Sequence, residues 1–185
     1  MHKKFEFLSK TFSEKEILKA GKFLLGLAAY FIALSFLVSL VPLELVEFFF
    51  ASVSLFFLGF FGFSGELVFT EPVIMQLQGL EQGIAITYLC TGLLELVLLV
   101  SAVASSFGIE WKKRIIGVIA GAIALVAFNV FRIVSSILII LWFGLEAGGF
   151  SHDLLFRVFL FATVAGYYFV WFNWATRLKK LNSTL

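Results

Sequence analysis

The chain holds one cysteine, Cys90, in the stretch Thr-Tyr-Leu-Cys-Thr-Gly that opens a long apolar segment. A thiol so placed is by default a small hydrophobe. Its neighbours point to a nucleophile instead. Gly92 allows close backbone approach, Thr91 offers a hydroxyl, and a strand-to-helix junction supplies first-turn amides and the positive end of a helix dipole. Such a setting favours a thiolate and can hold an oxyanion. Further along, Asn129, Arg132 and Ser136 fall at i, i+3 and i+7 and share one helix face. An arginine within a bilayer costs about 2.5–3.5 kcal/mol on insertion scales, so it turns inward toward a partner.

Glu95 on the preceding apolar segment is the obvious carboxylate for a structural salt bridge with Arg132. The functional alternative is a guanidinium that orients a substrate carbonyl, stabilises an oxyanion or favours the thiolate of Cys90, and the two roles are compatible. Glu95 follows Cys90 by five positions, off the thiol's own helix face. His152, in the stretch Phe-Ser-His-Asp, is the only histidine beyond His2. A loop histidine is usually solvated, and Ser151 or Asp153 can simply cap the next helix. Imidazole is nonetheless the usual base for a catalytic thiol. Cys90, His152 and Arg132 together form a coherent hydrolase or transferase set, in which His152 takes the thiol proton and returns it to a leaving amine.

The elements that must position these groups follow from composition. With 61% hydrophobic residues, 14% charged and a mean hydropathy of +1.04 over 185 residues, the chain is a one-domain integral membrane protein. A net charge of +2 carried in short basic clusters excludes the broad basic face of a nucleic-acid binder. One cysteine forms no internal disulfide, and no Cys or His pair has metal-ligand spacing, so neither metal nor other cofactor is expected.

A helix needs about 20 apolar residues to cross a ~30 Å hydrocarbon core. Five segments qualify, 23–41, 43–63, 84–107, 115–143 and 154–176, so the expected fold is an all-α polytopic membrane protein. Residues 1–22 read as a juxtamembrane segment, 23–176 as the transmembrane domain and 177–185 as a basic cytoplasmic tail. Between the second and third segments, residues 75–78 and 84–87 alternate around a glycine-flanked turn, which predicts a short extracytoplasmic β-hairpin leading into the cysteine-bearing helix.

The basic residues at 111–114 and 177–180 assign both places to the cytoplasm. Cys90 and His152 then face outward. Two spans before an external hairpin would also put the lysine-rich N-terminus outside, against the same rule. Either it lies outside or one of the first two segments does not cross, and Pro42, Glu44 and Glu47 single out the second. Depth raises a parallel tension: Arg132 lies ~16 Å below the end of a helix running to Phe143. That helix must end earlier, or the site must be sunken. The Trp-Phe-Asn-Trp run at 171–174 reads as an aromatic belt at the inner interface, and Arg157 as interfacial.

The set resembles the exosortase/archaeosortase family of membrane transpeptidases over roughly residues 43–170. The shared pattern is a β-like segment entering a Cys-(Ser/Thr)-Gly motif at a helix start, an arginine preceded by asparagine in a later span, and a basic residue in the next external loop. Here these are Cys90, Thr91 and Gly92, then Asn129 with Arg132, then His152. Thr91, where many bacterial relatives carry serine, is similar to the archaeal side or to a small variant subfamily. The resemblance implies a plasma-membrane cysteine transpeptidase whose substrates are secreted proteins ending in a short motif, a transmembrane helix and a basic cluster. Cys90 would form a thioester and release the tail, and a lipid or other cell-surface acceptor would take the acyl chain.

Two other classes fit part of the pattern. A small transporter or channel subunit would line a polar path with Arg132, Asn129 and Glu95 and leave Cys90 inert, although no inverted repeat supports it. A non-catalytic assembly factor would use the internal charges only as interhelical glue. Dependence on the thiol separates the enzyme from both.

Overall fold

The computed structural model describes residues 14–80, 82–150 and 156–181. His152, with Ser151 and Asp153, lies outside the described residues. The elements in order are α1 (Glu14–Ser39), α2 (Leu43–Gly59), β1 (Gly65–Val68), β2 (Val73–Leu77), β3 (Ile84–Ile86), a 3-10 turn (Tyr88–Cys90), α3 (Leu93–Ala104), α4 (Trp111–Phe143), α5 (Leu145–Phe150) and α6 (Phe156–Leu181). The expected polytopic helical class is the observed one. Three stretches are long and apolar enough to cross a membrane, Glu16–Ser39, Trp111–Phe143 and Val158–Arg177, and Leu93–Ala104 is a shorter apolar helix.

α1, α3, α4 and α6 form an antiparallel bundle. Gly26 of α1 lies against Ser105 and Phe107, just past the end of α3, while Ser35 and Ser39 meet Leu93 and Leu94 at its start. Arg114 donates to the carbonyl of Ala104 at 3.0 Å, and Lys113 to that of Ala175 at 3.4 Å. The N-terminal half of α1, the basic turn before α4 and the C-terminal half of α6 therefore share one end of the bundle. Lys19, Lys22, residues 112–114 and Arg177 are on that end, as the positive-inside rule asks of a cytoplasmic side.

The parity tension bears on α2. It buries one face, Glu47, Phe50, Ala51, Ser54 and Leu58, at helical spacing. α2 packs chiefly on α4, on the 3-10 turn and on all three strands. Glu47 is 4% exposed, and its Oε2 accepts a hydrogen bond from the amide of Val73 at 3.2 Å. The carboxylate that made this segment a doubtful span thus ties α2 to the head of β2.

The expected hairpin is present as β2 and β3, antiparallel with Met75 opposite Ile84, and a third strand, β1, pairs along the other edge of β2. Val73, Met75 and Leu77 alternate inward from β2 and join Phe50, Leu58, Val130 and Ile137 in one apolar cluster, with Cys90 at its border. A second cluster, Leu99, Val103, Leu125, Leu160 and Trp171, fills the bundle between α3, α4 and α6. Trp171 is therefore not a belt residue. It is 5% exposed, and its Nε1 donates to the carbonyl of Lys113 at 3.2 Å. A side chain at Gly117 would collide with its indole, so this glycine sets the close approach of α4 and α6.

The same geometry bears on the depth tension. α4 climbs ~27 Å between Arg114 and Arg132 at ~1.5 Å per residue, close to the ~30 Å of a hydrocarbon core. Its 33 residues then continue past Arg132 to Phe143, where α5 packs beside it. Arg132 thus lies about one hydrocarbon thickness along α4 from its basic end.

Candidate active site

The thiol is delivered by a turn that precedes α3 rather than by the first turn of α3 itself. The amide of Cys90 donates to Thr87 O at 2.8 Å and that of Thr91 to Tyr88 O at 3.0 Å, closing a 3-10 turn. Thr91 Oγ1 reinforces it with a 2.6 Å bond to Tyr88 O. The chain then reverses at Gly92, φ +66°, which is the N-cap of α3. No side chain suits this place. The left-handed conformation disfavours a Cβ, and one built there would meet Asn129 Oδ1 at 3.1 Å. Gly92→Ala is expected to lose about 1–2 kcal/mol from backbone strain alone, read as a lowered unfolding temperature of the purified protein in detergent.

Two buried side chains of α4 converge on this turn. Asn129 Nδ2 donates to the carbonyl oxygen of Cys90 at 2.7 Å, and Arg132 Nη2 donates to the same oxygen at 2.8 Å and to Leu89 O at 3.3 Å. Asn129 is 1% exposed and Arg132 3%. The guanidinium thus meets main-chain carbonyls, whose oxygens carry negative partial charge. The expected salt bridge with Glu95 is absent among the described residues, where the one ion pair joins Lys113 to Glu110. Glu95 is half-buried in the first turn of α3. An acceptor made of backbone cannot be read from side-chain spacing, which is why a carboxylate seemed necessary.

Cys90 Sγ lies 3.4 Å from Thr87 Oγ1. Thr87 was not singled out by sequence, although its spacing of three from Cys90 on a turn was the available signal. The thiol borders a cavity of about 270 Å³ between β3, the outer part of α4 and α5. Ser136 shares this lining; it is 4% exposed, and its hydroxyl has no hydrogen-bond partner among the described residues. The cavity wall includes Gly148 and Gly149 of α5, shortly before His152 in the chain. The structure therefore brings together Cys90, Thr91, Gly92, Asn129 and Arg132, with Ser136 across the cavity. What results is a thiol on a rigid turn, its own carbonyl pinned by two donors, beside an apolar space large enough for a peptide side chain.

A family model described as a transmembrane exosortase matches residues 13–176, most of the chain. The chain belongs to that family. Searches of curated proteins and of solved structures return no match. Membership implies a transpeptidase role in protein sorting, and the matched range includes all the candidate residues described above. Among the elements of this exosortase, α2 and the sheet fall inside the match, and α2 packs on the turn that holds Cys90.

Proposed function

We propose that this exosortase is a cysteine transpeptidase that removes the C-terminal tail of secreted proteins and transfers the shortened chain to a lipid or cell-surface acceptor. The observation that carries the reading is the double clamp of Asn129 and Arg132 on the Cys90 carbonyl, which fixes the thiol at the rim of a cavity. The ~27 Å separation of Arg132 from the basic end of α4 supports an extracytoplasmic site. A tail composed of a motif, a membrane helix and a basic cluster would present its scissile bond at that surface.

In the reaction, the Cys90 thiolate attacks the carbonyl carbon of the scissile peptide, and the oxyanion collapses with loss of the C–N bond. The tail leaves as an amine carrying the proton that His152 took from the thiol. The thioester is then attacked by the acceptor amine, which gives its proton to His152 as the C–S bond breaks and the thiolate returns. His152→Ala is expected to slow tail removal by about 10²–10⁴-fold, measured as the single-turnover rate.

The reading is tested by co-expressing the enzyme with a secreted protein of the same genome that ends in such a tail, and following the substrate's intact mass. Loss of the tail that requires Cys90, with the added mass of an acceptor, supports it. An unchanged mass across several such substrates, with the enzyme folded, would overturn it.

A further inference from the structure

The cavity beside Cys90 is walled on one side by three consecutive residues, Ile84, Ala85 and Ile86. Successive side chains of a strand point to opposite faces, so three in a row meet one cavity where the strand presents its backbone edge. β3 is such an edge: the sheet order is β1-β2-β3, and no described strand lies on its outer side.

The pairing pattern determines which backbone groups face outward. Gln78 donates to Ser64 O at 2.9 Å, in the register that pairs β1 with β2. Antiparallel ladders alternate, so Gln76 and Ile74 also bond to β1, while Val73 and Met75 turn toward β3. Their partners Ile86 and Ile84 point their amides and carbonyls back at β2. The N–H and C=O of Ala85, an exposed residue, therefore point away from the sheet. Among the described residues neither group has a partner.

An unpaired edge is a template for another extended chain. A second feature of the cavity is independent of the strand: the buried Ser136 hydroxyl on the facing wall, without a partner among the described residues. A buried polar group left unsatisfied is costly, and a ligand that supplies a donor or acceptor relieves it.

We propose that β3 is the strand that reads the substrate. An extended segment of the secreted protein, just before its scissile bond, pairs with the N–H and C=O of Ala85 as an added strand. It lays an apolar side chain against Ile133 and Ile137, meets Ser136 with a polar group, and delivers its carbonyl carbon to Cys90 Sγ. The occupant is a peptide because a strand edge offers a donor and an acceptor at backbone spacing, which an acyl chain cannot use. Side chains of the recognised segment would then be read at alternate positions. The inference rests on the transpeptidase reading.

The test is Ala85→Pro beside Ala85→Val. Proline removes the outward N–H and places its ring on the free edge, while the bonds to β2, which belong to Ile84 and Ile86, remain; edge strands tolerate proline in this orientation. Valine keeps the N–H. With a tail-bearing substrate that the wild type processes, Ala85→Pro is expected to raise KM by about tenfold or more, and Ala85→Val by less than about threefold.

Should Ala85→Pro misfold, as judged by its unfolding temperature, the substrate is changed instead. Peptide-bond N–H groups before the scissile bond are replaced one at a time by ester oxygens, with the wild-type enzyme. A loss at one position, the N–H that meets the Ala85 carbonyl, with its neighbours unaffected, is the expected pattern. Equal KM for Ala85→Pro and wild type, or an ester scan with no such loss, overturns strand pairing and leaves the transpeptidase standing. Absence of Cys90-dependent processing in the wild type removes the transpeptidase reading, and strand pairing falls with it.

Discussion

Cys90→Ala is expected to abolish tail removal, with a loss on the order of 10⁴-fold or more, while the protein remains folded. The two halves of this expectation have separate causes. Cys90 is 8% exposed at the border of the apolar cluster around β2 and α4, so removing one sulfur costs about 1 kcal/mol. The bonds that shape the turn are all retained, because Asn129, Arg132 and Thr87 engage the backbone of residues 89 and 90. Chemistry has no such reserve, since no second thiol exists in the chain.

Cys90→Ser is expected to fall close to the alanine variant, because a hydroxyl at this place has the Thr87 contact but not the acidity of a thiol. The checks are single-turnover processing of a tail-bearing substrate and thermal unfolding of the purified variants. Processing that survives Cys90→Ala would remove the covalent mechanism. The transporter and assembly readings would then lead, in which Arg132 matters and the thiol does not.

The site was more legible in the sequence than the membrane topology, for physical reasons that particular residues show. Cys90, Thr91 and Gly92 are contiguous, and Asn129 and Arg132 are one helical turn apart, so local rules sufficed to group each set. Their junction was also foreseeable, because the alternation at 75–78 and 84–87 is a strand signal independent of tertiary context. β1 escaped because it is four residues long and only one apolar side chain, Leu67, reaches the cluster from it.

α2 misled for a different reason. Phe48, Phe49, Phe56, Phe57 and Phe60 face outward from it, giving the all-round apolarity of a membrane span. Only the stripe through Glu47, Ala51, Ser54 and Leu58 betrays that one side is reserved for the sheet. The acceptors of Arg132 were invisible because carbonyl oxygens belong to every residue and are selected by the fold.

The Asn129→Ala and Arg132→Ala substitutions, combined, are expected to cost more stability than the sum of their separate effects. Both donors meet one oxygen, that of Cys90, at 2.7 and 2.8 Å. Asn129→Ala leaves this oxygen with the guanidinium and should cost about 1 kcal/mol, and Arg132→Ala leaves it with the amide and should cost about 1.5–3 kcal/mol. The double variant leaves a buried carbonyl bare, which adds a further ~1–3 kcal/mol of desolvation that neither single change exposes. Unfolding of the four proteins in mixed micelles gives the coupling directly, and additivity within about 0.3–0.5 kcal/mol would mean that the two side chains do not share an acceptor.

Activity should separate clamp from chemistry. If Arg132 only holds the turn, its loss should resemble that of Asn129, about tenfold in processing rate. If its charge also meets the developing oxyanion, Arg132→Ala alone should cost about 10²–10³-fold in kcat. Arg132→Lys should then recover part of the rate but little of the stability, because an ammonium supplies the charge without the planar fork that spans Leu89 O and Cys90 O. We expect the second pattern. A nucleophile whose own carbonyl is held by a cation already has that cation within one residue of the bond it must break.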